Sequence, residues 1–413
     1  MRILYLAHRV PFPPDKGEKI RAYHQIAHLA PRHAIHLLAL ADTPEDVAHA
    51  ASLRPLCASV DVVYRSRRMA RLHALAALPS ARSLSVAAFD SSALRRLVRK
   101  RLADSPPDAI VAYTCPMAAY VADVAGIPRL LDFVDLDSAK WRAYAERLGF
   151  PRSLVYNLEA DRLARYEASM ATVFEASTFV SDAEANLLRP LVPGRSIGVL
   201  PMGVDLDYFR PEAVSGPDRP APPPSVVFTG VMDYFPNTDA VRHFALDVLP
   251  ALRRLVPDAT FTIVGRRPTP EVRDLARLEG VRVTGEVPDV RPYFTRARAA
   301  VAPFRIARGV QSKILEAMAM GLPVVSAPLA LQGIPAGEGD GVRRAADPEA
   351  FAAALAPLLT DDDLWRREGS AARRYVERRH PWSEAGRMLE ELLAGIVSGR
   401  SGAASDRAAR ATS

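Results

Sequence analysis

Residues 308–325 read RGVQSKILEAMAMGLPVV, and a short apolar run at 300–303 precedes them. A glycine-bearing turn leads into a segment whose apolar residues recur at helical spacing, and Gly321 and Pro323 then supply helix stop signals. Val324 and Val325 begin a second short apolar run, which has the composition of a buried strand. The stretch therefore predicts a strand–turn–helix–strand unit of a parallel α/β sheet.

The turn and the start of this helix carry residue types that suit a nucleotide diphosphate. Backbone N–H groups at Gly309 and Val310 are expected at the positive end of the helix, where anions bind. Lys313 adds a point charge, and Glu316 can accept hydrogen bonds from vicinal hydroxyls such as those of a ribose. The same spacing also fits an ordinary i, i+3 ion pair on a helix surface, so the residues alone leave both interpretations open.

Similar units recur in both halves of the chain. The first half alternates helical segments with apolar runs at 3–7, 35–41, 60–64, 109–113, 130–134, 178–180 and 197–202. The second half does the same with runs at 226–228, 260–264, 281–283, 300–303 and 324–326. This alternation predicts an α/β fold of two Rossmann-like, doubly wound parallel-sheet domains. Open α/β sheets bind ligands at the carboxyl ends of their strands, so we expect the two domains to face each other across a cleft.

The chain has 413 residues, more than one hydrophobic core usually holds. We expect an N-terminal domain at 1–210 and a C-terminal domain at 225–380, separated by a proline-rich linker at 211–224. Residues 381–397 are predicted to form a last amphipathic helix, a candidate for packing back on the N-terminal domain. Residues 398–413 are rich in Gly, Ala, Ser and Arg and are expected to be disordered.

Composition limits the functional classes. The N-terminal apolar run is too short for a signal peptide and no stretch is long enough to span a bilayer, so we expect a cytoplasmic protein. Cys57 and Cys115 are the only cysteines, too few for a disulfide framework. His24 and His28 share a helix face but lack the glutamate of a zinc-protease motif, and no catalytic metal is expected. The glycines at 337, 339 and 341 lie in a loop, which argues against NAD.

The net charge of +7 predicts an anionic partner. Two segments concentrate basic residues beside apolar ones: Arg65, Arg67, Arg68 and Arg71 in the first, and Arg95, Arg96, Arg99, Lys100 and Arg101 in the second. Such basic amphipathic segments are either solvated helix faces or sites of peripheral contact with an anionic membrane. Aromatic interleaving and zinc-finger spacing are absent from the sequence, so nucleic acid is not expected as a partner.

The block that begins at Gly309 resembles the donor-binding signature Gly-x-x-x-Lys-x-x-Glu-Ala-Met-Ala-x-Gly-x-Pro-Val of retaining GT-B glycosyltransferases of family 4. Further similar segments occur in order at 200–205, 228–230, 263–265 and 284–290, so the resemblance covers nearly the whole chain. Three more segments, at 15–21, 132–141 and 234–237, resemble a subgroup of sugar transferases associated with exosortase (PEP-CTERM) exopolysaccharide systems.

The resemblance implies roles for residues of the C-terminal half. It assigns Gly309 and Val310 to the donor diphosphate with Lys313 nearby, Glu316 to the ribose, and the backbone around Val287 to the base. The glycines and the arginine after the first two strands of this half complete the expected donor site: Gly230, Gly265 and Arg266.

Two departures from the family pattern affect this site. Arg308 stands where the family usually has the first glutamate of a Glu-x₇-Glu pair, so we assign Arg308 to the catalytic site in its place. The basic residues that commonly follow the first strand of the donor domain are also missing. Arg266, Arg267, Arg305 and Arg308 are candidates to supply that charge.

The loop after the first strand resembles the family's acceptor loop. It predicts acceptor contacts at Arg9, Lys16, Gly17 and Arg21, with Gly17 near the donor phosphate, although a solvated loop is an alternative.

Family members often present a histidine near the sugar after the fifth strand, where this chain has Asp132, Asp135 and Asp137. Asp135 is our candidate for the reacting centre, because a carboxylate can orient a donor hydroxyl or stabilise oxocarbenium-like charge. Asp137 fits a helix cap better.

Together these features imply a nucleotide-sugar-dependent hexosyltransferase that works with retention and without a metal or other cofactor. Its C-terminal half is expected to bind a UDP- or GDP-sugar, and its N-terminal half a saccharide or lipid-linked acceptor at the inner membrane face. Two alternatives stay open. One is a nucleotide-sugar epimerase of the same fold, and the other is a catalytically silent nucleotide-sugar-binding protein.

Overall fold

The computed structural model of the chain describes residues 1–146, 149–211 and 221–399. Most of the predicted linker, 212–220, and nearly all of the predicted tail, from residue 400 on, lie outside the described residues. The chain forms two compact units. The first comprises Met1–Pro201 together with the residues from Trp382 onward, and the second comprises Met202–Pro381.

The first unit contains a sheet of seven strands: β1 (Arg2–Ala7), β2 (Ala34–Ala41), β3 (Ser59–Tyr64), β4 (Ala109–Tyr113), β5 (Arg129–Val134), β6 (Ala176–Phe179) and β7 (Ile197–Val199). All pair in parallel, in the order β3-β2-β1-β4-β5-β6-β7. The connecting helices are α1 (Gly17–Leu29), α2 (Pro44–His49), α3 (Arg67–Ala77), α4 (Leu84–Ala88), α5 (Ser92–Asp104), α6 (Cys115–Ala118), α7 (Asp137–Ala145), α8 (Arg152–Val173) and α9 (Asp182–Leu188). The strand order reverses between β1 and β4, so their carboxyl ends form the topological switch point where open α/β sheets bind ligands.

The second unit contains a sheet of six parallel strands: β8 (Ser225–Thr229), β9 (Thr260–Val264), β10 (Val281–Val283), β11 (Ala299–Ala302), β12 (Val324–Ser326) and β13 (Val342–Arg344). Its helices are α10 (Phe235–His243), α11 (Leu249–Leu255), α12 (Pro270–Asp274), α13 (Arg291–Thr295), α14 (Ser312–Ala319), α15 (Pro348–Thr360) and α16 (Asp362–Arg379); α17 (Trp382–Val397) follows and belongs to the first unit. The strand order β10-β9-β8-β11-β12-β13 places the switch point between β8 and β11.

Burial explains the apolar runs in the sequence. The side chains of β1 from Ile3 to Ala7 and those of β4 are almost completely buried, as expected for parallel strands that helices cover on both faces. Side chains cap two helices of the first unit, since Thr43 accepts a hydrogen bond from the Asp46 N–H (3.2 Å) and Ser181 accepts one from the Glu184 N–H (3.3 Å). The predicted class, two doubly wound parallel sheets, is confirmed.

The last helix, α17, packs against α1 within the first unit. Its Leu389 and Leu393 are fully buried in the same apolar cluster as Leu29 of α1. At the start of the helix the Trp382 ring stacks on His24, with ring centroids 4.5 Å apart. Within the described ranges, no helix combines the length and the apolarity that a membrane span needs.

Candidate functional site

The switch point of the second sheet is lined by glycines. Gly230 follows β8 and Gly265 follows β9, and the Gly230 N–H donates to the Val264 carbonyl (3.0 Å). A Cβ at Gly265 would overlap the Gly230 carbonyl oxygen, and a Cβ at Gly230 would lie 2.8 Å from Asn237 Nδ2. Glycine is therefore required for the close approach of the two loops, and it leaves the space beside Lys313 open.

Lys313 lies in the first turn of α14, beside that space. Its Nζ donates to Asn237 Oδ1 (2.7 Å) and lies 4.9 Å and 4.7 Å from the ring centroids of Phe228 and Phe304. Two aromatic faces attract the ammonium but replace little of its water, and this burial lowers the pKa of Lys313 to about 7. A negatively charged ligand next to Nζ would therefore favour the charged form of the lysine.

Glu316 follows one turn later on the same helix. Burial raises the pKa of its carboxyl to about 7, although the nearby Lys313 acts in the opposite direction. The Lys313 ammonium donates to Asn237, and no salt bridge joins it to Glu316, so the alternative of a simple surface ion pair does not describe this helix. A half-buried carboxyl beside a half-buried ammonium is an arrangement typical of binding sites.

Asn237 is the residue of this site that the sequence analysis did not assign. It lies on the first turn of α10, where its Nδ2 donates to the Val231 carbonyl (2.9 Å) while its Oδ1 holds Lys313. Asn237 therefore positions the Lys313 ammonium relative to the loop after β8. The only signal in the sequence was the segment at 234–237, quoted there for a resemblance and not for a contact.

The loop that precedes α14 differs in detail from the prediction. The helix begins at Ser312, so Gly309 and Val310 lie in the loop and not in the first turn. Gly309 has φ +63°, in the left-handed region that favours glycine. Gln311 is the N-cap residue, but its side chain donates to the Arg308 carbonyl (3.0 Å) and caps none of the N–H groups of the helix. The N–H groups of the first turn lie at the positive end of the α14 dipole, which is where an anion binds to a helix.

The candidate arginines near this edge have different surroundings. Arg305 bonds to Asp239 (Nε to Oδ2, 3.0 Å), and Arg267 pairs with Asp233 (3.2 Å). Arg308 is half-buried within the loop that leads to α14, and the backbone of Arg266 accepts from the Met232 N–H (2.9 Å). Arg305 and Arg267 have carboxylate partners. Arg266 and Arg308 remain predicted members of the site.

Val287 lies half-buried in the loop between β10 and α13. Two residues further on, Asp289 accepts from Arg291 (Nη2 to Oδ2, 2.8 Å) and from the Tyr208 hydroxyl (3.3 Å). The Arg291 guanidinium lies 4.0 Å from the Tyr208 ring centroid. Burial, Asp289 and, more weakly, Glu316 raise the pKa of Tyr208.

In the first unit, the loop after β1 carries the predicted acceptor residues. Arg9 Nη1 donates to Glu18 of α1 (2.7 Å) and its Nε to Asp42 after β2 (3.0 Å), so the start of the loop is tied to both elements. Lys16 is half-buried, and the exposed Gly17 begins α1. Arg9, Lys16 and Gly17 lie where an acceptor could reach them, and their roles remain predictions.

Arg21 does not fit the predicted contact with an acceptor, because its side chain is completely buried. Its guanidinium donates to Asp132 (2.9 and 3.2 Å) and to the Leu200 carbonyl (2.9 Å). Asp132 also accepts from Gln25 (2.7 Å) and Thr178 (3.1 Å). Arg21 and Asp132 therefore form a satisfied internal ion pair that joins α1 to the sheet.

Asp135 follows β5 after a strained residue. Val134 has φ +69°, which is rare for a β-branched side chain and is found at functional sites. Asp135 Oδ1 has no hydrogen-bond partner among the described residues. Burial, together with Glu184 and Asp137, raises the pKa of Asp135 to about 7. These features suit a carboxyl that acts on a ligand, and its assignment to the reacting centre remains a prediction.

The cap role considered for Asp137 is wrong. Leu136 is the N-cap residue of α7, and Asp137 Oδ1 instead accepts from Lys140 Nζ (3.1 Å).

His8, at the carboxyl end of β1, was not singled out in the sequence. Its ring lies between Phe89 and Tyr113, with centroids 5.5 Å and 5.9 Å away, and only 8% of the residue is exposed. Burial and Arg9 lower the pKa of His8 to about 4, so the imidazole is neutral at pH 7. Its Nδ1 has no partner within the part of the chain that the structure describes. Across the same residues, no three His, Cys, Asp or Glu side chains group as a metal site would require.

Comparisons with known proteins relate this geometry to glycosyltransferases. Residues 223–361, which include the glycine-lined edge and α14, match the family model described as glycosyl transferases group 1. A GDP-mannose-dependent alpha-(1-6)-phosphatidylinositol monomannoside mannosyltransferase of Mycobacterium tuberculosis is 29% identical over 248 residues, which are 53% of this chain and 61% of that protein. The corresponding enzyme of Mycolicibacterium smegmatis is 29% identical over 243 residues. The chain therefore spans about three-fifths of the length of the curated relatives it matches.

Solved structures match the whole fold. Sucrose-phosphate synthase from Thermosynechococcus elongatus superposes with a TM-score of 0.70 at 18% identity, over 97% of this chain and all of that one. Anabaena HepE in complex with UDP gives a TM-score of 0.68 at 16% identity, over 96% of this chain and all of that one. HepE has also been solved in complex with UDP-glucose. These likenesses confirm the GT-B glycosyltransferase fold that the signature at Gly309 implied.

Proposed function

We propose that this chain is a hexosyltransferase that takes a sugar from a nucleotide-diphosphate sugar. The observation that carries the proposal is the environment of Lys313. Its ammonium is held by Asn237 between two phenylalanine rings, at a glycine-lined switch point and one turn from Glu316. Burial has lowered its pKa to about 7, and a bound diphosphate would restore the full charge.

Each part of such a donor has a suitable partner in the second unit. The diphosphate would meet Lys313 and the N–H groups of the Gly309–Val310 loop and of the uncapped start of α14. The ribose hydroxyls would donate to Glu316, and the base would lie against the backbone at Val287. Gly230, Gly265, Arg266 and Arg308 complete the site. The mannosyltransferase relatives are named for GDP-mannose and HepE has been solved with UDP-glucose, which supports a UDP- or GDP-sugar.

In the proposed reaction a hydroxyl oxygen of the acceptor bonds to the sugar C1 and gives up its proton to the departing diphosphate. The bond between C1 and the diphosphate oxygen breaks, and its electron pair leaves with the diphosphate. Lys313 and the loop amides stabilise that negative charge, the role that preorganised cations and amides play in transfer reactions. Asp135 is proposed to orient a hydroxyl of the sugar or to stabilise positive charge at C1. We propose retention of configuration and no requirement for a metal or other cofactor.

The acceptor is proposed to be a saccharide or a lipid-linked saccharide that Arg9, Lys16 and Gly17 help to hold. We place the enzyme in exopolysaccharide-type synthesis of the exosortase (PEP-CTERM) kind, on the resemblance at 15–21, 132–141 and 234–237. It would act in the cytoplasm, with peripheral contact at the inner face of an anionic membrane and without nucleic acid as a partner. The net charge of +7 supports an anionic surface of this kind.

Calorimetric titration of UDP, GDP, UDP-glucose and GDP-mannose, with EDTA present, tests the donor site. We expect micromolar binding of one nucleotide class to the wild type and its loss in Glu316→Ala. The matched control is Glu279→Ala, because Glu279 is an exposed carboxylate that pairs only with Arg253 at the surface (2.6 Å). If none of the four ligands binds, or if Glu316→Ala binds like the wild type, the donor-site assignment is wrong.

One observation favours the catalytically silent alternative, because Arg308 occupies the position of a family glutamate. A silent protein would bind the nucleotide sugar but show neither hydrolysis nor transfer across a broad panel of saccharide acceptors. Arg308→Glu restores the family pattern. If transfer appears only in that variant, the native chain is a binding protein.

A further inference from the structure

The helix α3 reverses the usual arrangement of a surface helix. Its buried positions are alanines, Ala70 and Ala77, whereas several of its large apolar residues face outward. Met69, Leu72 and Leu75 are 48%, 56% and 59% exposed. A helix normally buries the larger residues, since their burial stabilises the fold more. Packing in the core of the first unit therefore does not explain why these leucines are present on α3.

Positive charge is interleaved with these apolar residues. Arg67, Arg68 and Arg71 are exposed, and Arg68 precedes Leu72 and Leu75 by four and seven residues, which places all three on one helix face. From residue 62 to residue 89 the sequence contains five arginines and no Asp or Glu. This face of α3 is both apolar and basic, without a compensating negative charge on its own segment.

The beginning of α8 also exposes large apolar side chains. Phe150, just before this helix, is 85% exposed, and Leu154 and Leu158 are 63% and 38% exposed. Arg152 adds another exposed positive charge. A patch of several large apolar side chains on separate elements is uncommon on a monomeric protein and indicates an interaction site.

Two buried polar residues of α8 fix it to the end of α3. Arg162 Nη2 donates to the carbonyl of Leu78 (2.9 Å), the residue that ends α3, and Leu78 itself is 39% exposed. Glu159 accepts from the N–H groups of Leu84 (2.6 Å) and Ser85 (2.9 Å) in the following segment. These hydrogen bonds tie α8 to the end of α3 and to the start of α4. We call the following exposed residues the α3–α8 surface: Met69, Leu72, Leu75, Leu78, Phe150, Leu154 and Leu158, with Arg67, Arg68, Arg71 and Arg152.

The chemistry of this surface fits an anionic bilayer. Amphipathic helices bind such membranes by burying leucines at the acyl boundary while arginines meet lipid phosphates. A second copy of the chain fits less well, because a symmetric contact would bring the arginines of α3 against their own counterparts. The uncharged apolar groove of an ordinary protein partner would leave the same arginines without counter-charges.

We propose that the α3–α8 surface docks this protein on a membrane of anionic phospholipid. The inference deepens the peripheral membrane contact of the proposed function and rests on it. The docking residues lie in the first unit and the donor site in the second, so each can be altered and measured without the other.

The second basic helix, α5, supplies a matched control. Arg96, Arg99 and Lys100 are exposed there, but Leu94 and Val98 are buried and no exposed large apolar side chain lies among the three. Removing these three charges lowers the net charge as much as removing Arg67, Arg68 and Arg71 does. Only the removal of Arg67, Arg68 and Arg71 would alter the α3–α8 surface.

The test is flotation of the full-length protein with vesicles of phosphatidylcholine, with or without about 30% phosphatidylglycerol, at low and high salt. We expect the wild type to float only with the anionic vesicles and only at low salt. Leu72→Ser/Leu75→Ser and Arg67→Gln/Arg68→Gln/Arg71→Gln should each reduce the bound fraction about tenfold, whereas Arg96→Gln/Arg99→Gln/Lys100→Gln should stay within about twofold of the wild type.

Several outcomes would overturn the proposal: no flotation of the wild type, equal flotation with neutral vesicles, or equal loss in the α5 variant. A dimer in sedimentation equilibrium that Leu72→Ser/Leu75→Ser abolishes would instead identify a second copy as the occupant. Circular dichroism of the serine variant shows whether a loss of vesicle binding comes from misfolding. Nucleotide binding of the same variant shows whether its donor site is intact. If the wild type binds the nucleotide but does not bind the vesicles, the docking inference fails and the proposed donor function stands.

Discussion

At the scale of single residues, Lys313 and Glu316 combine opposite pKa shifts within one helical turn. The pKa of Lys313 falls to about 7 and that of Glu316 rises to about 7, both because the protein removes water from them. Each group alone therefore changes charge within the physiological range, whereas an exposed lysine or glutamate would not. A ligand that neutralises either group shifts the other, so donor binding should depend on pH on both sides of neutrality.

We expect the affinity for a nucleotide sugar, whose diphosphate does not titrate near neutrality, to be highest near pH 7. Above pH 7 the free protein loses the Lys313 proton, so binding must take up a proton and the affinity falls by up to about tenfold per pH unit. Below pH 7 the Glu316 carboxyl gains a proton and becomes a weaker acceptor for ribose hydroxyls. Calorimetry at several pH values, in buffers of different ionisation enthalpy, measures both the affinity and the proton uptake.

Glu316→Gln serves as the control for this profile. It should lose the fall in affinity at acid pH and keep the alkaline fall, shifted to lower pH because Glu316 supports the charge of Lys313. An affinity that stays flat between about pH 6 and 9 in the wild type would contradict the assignment of Lys313 to the diphosphate.

The buried pair Arg21–Asp132 allows a prediction about stability. Both side chains are completely inaccessible, and the carboxylate accepts from three different side chains. Arg21→Met should lower the free energy of unfolding by about 3–5 kcal/mol, since it leaves Asp132 as an uncompensated buried charge. Urea unfolding, followed by far-UV circular dichroism, measures the change.

The matched control is Arg142→Met, which breaks an exposed pair with Asp161 (2.7 Å) whose side chains are 51% and 59% exposed. Exposed pairs contribute at most about 1 kcal/mol, so this variant should unfold close to the wild type. A similar small loss in both variants would show that the Arg21–Asp132 pair does not hold α1 on the sheet.

At the scale of elements, the sequence predicts strands well where they are buried on both faces. The runs predicted at 109–113 and 324–326 coincide with β4 and β12, in which every residue is buried, because a parallel strand covered on both faces is almost entirely apolar. β13 was missed, since two of its three residues are Arg343 and Arg344 at the edge of the sheet. A short edge strand carries too little apolar surface to be recognised from the sequence.

The candidate site could be predicted only where its residues are close together in the sequence. Glycines and charges adjacent in sequence, such as those from Gly309 to Glu316, were predicted because their spacing alone defines the motif. Arg21 was misassigned because its partner Asp132 lies 111 residues away, and nothing local distinguishes a buried arginine from an exposed one. Asn237 was missed for a similar reason, since its contact with Lys313 spans 76 residues.

The contact between α1 and α17 gives a prediction about packing. Gly386 lies directly against the His28 ring, where a Cβ would fall 2.6 Å from His28 Cδ2 and still closer to other ring atoms. Gly386→Ala should therefore lower the free energy of unfolding by about 1–3 kcal/mol through overpacking. The loss should be largely recovered in Gly386→Ala/His28→Ala, which removes the ring. Thermal unfolding of the two variants measures this coupling.

The same helix contains its own control. Gly395 has open space around it, and in a helix interior alanine is favoured over glycine by about 0.5–1 kcal/mol. Gly395→Ala should therefore raise stability slightly. If Gly386→Ala also raised it, the close packing of α17 on α1 would be contradicted.

At the scale of the whole molecule, the two units differ in how the chain builds them. The second unit is continuous from Met202 to Pro381 and contains every residue that we assign to the nucleotide diphosphate of the donor. The first unit is discontinuous, because α17 returns after the second unit and contributes Leu389, Leu393 and Ile396 to its core. The last helix is therefore part of the core of the first unit.

This difference predicts opposite behaviour for isolated fragments. Residues 202–381 should fold alone and bind the nucleotide with about the affinity of the full chain, because the core, Lys313, Asn237 and Glu316 all lie within them. Residues 1–201 should aggregate, since the face of α1 and the sheet that α17 covers would be exposed. Joining Pro201 to residues 382–399 through a flexible linker should restore cooperative unfolding. Size-exclusion chromatography, thermal melts and calorimetry of the three fragments measure these outcomes. If residues 202–381 fold but do not bind the nucleotide that the full chain binds, the donor site is incomplete in the second unit and the assignment built on Lys313 must include residues of the first.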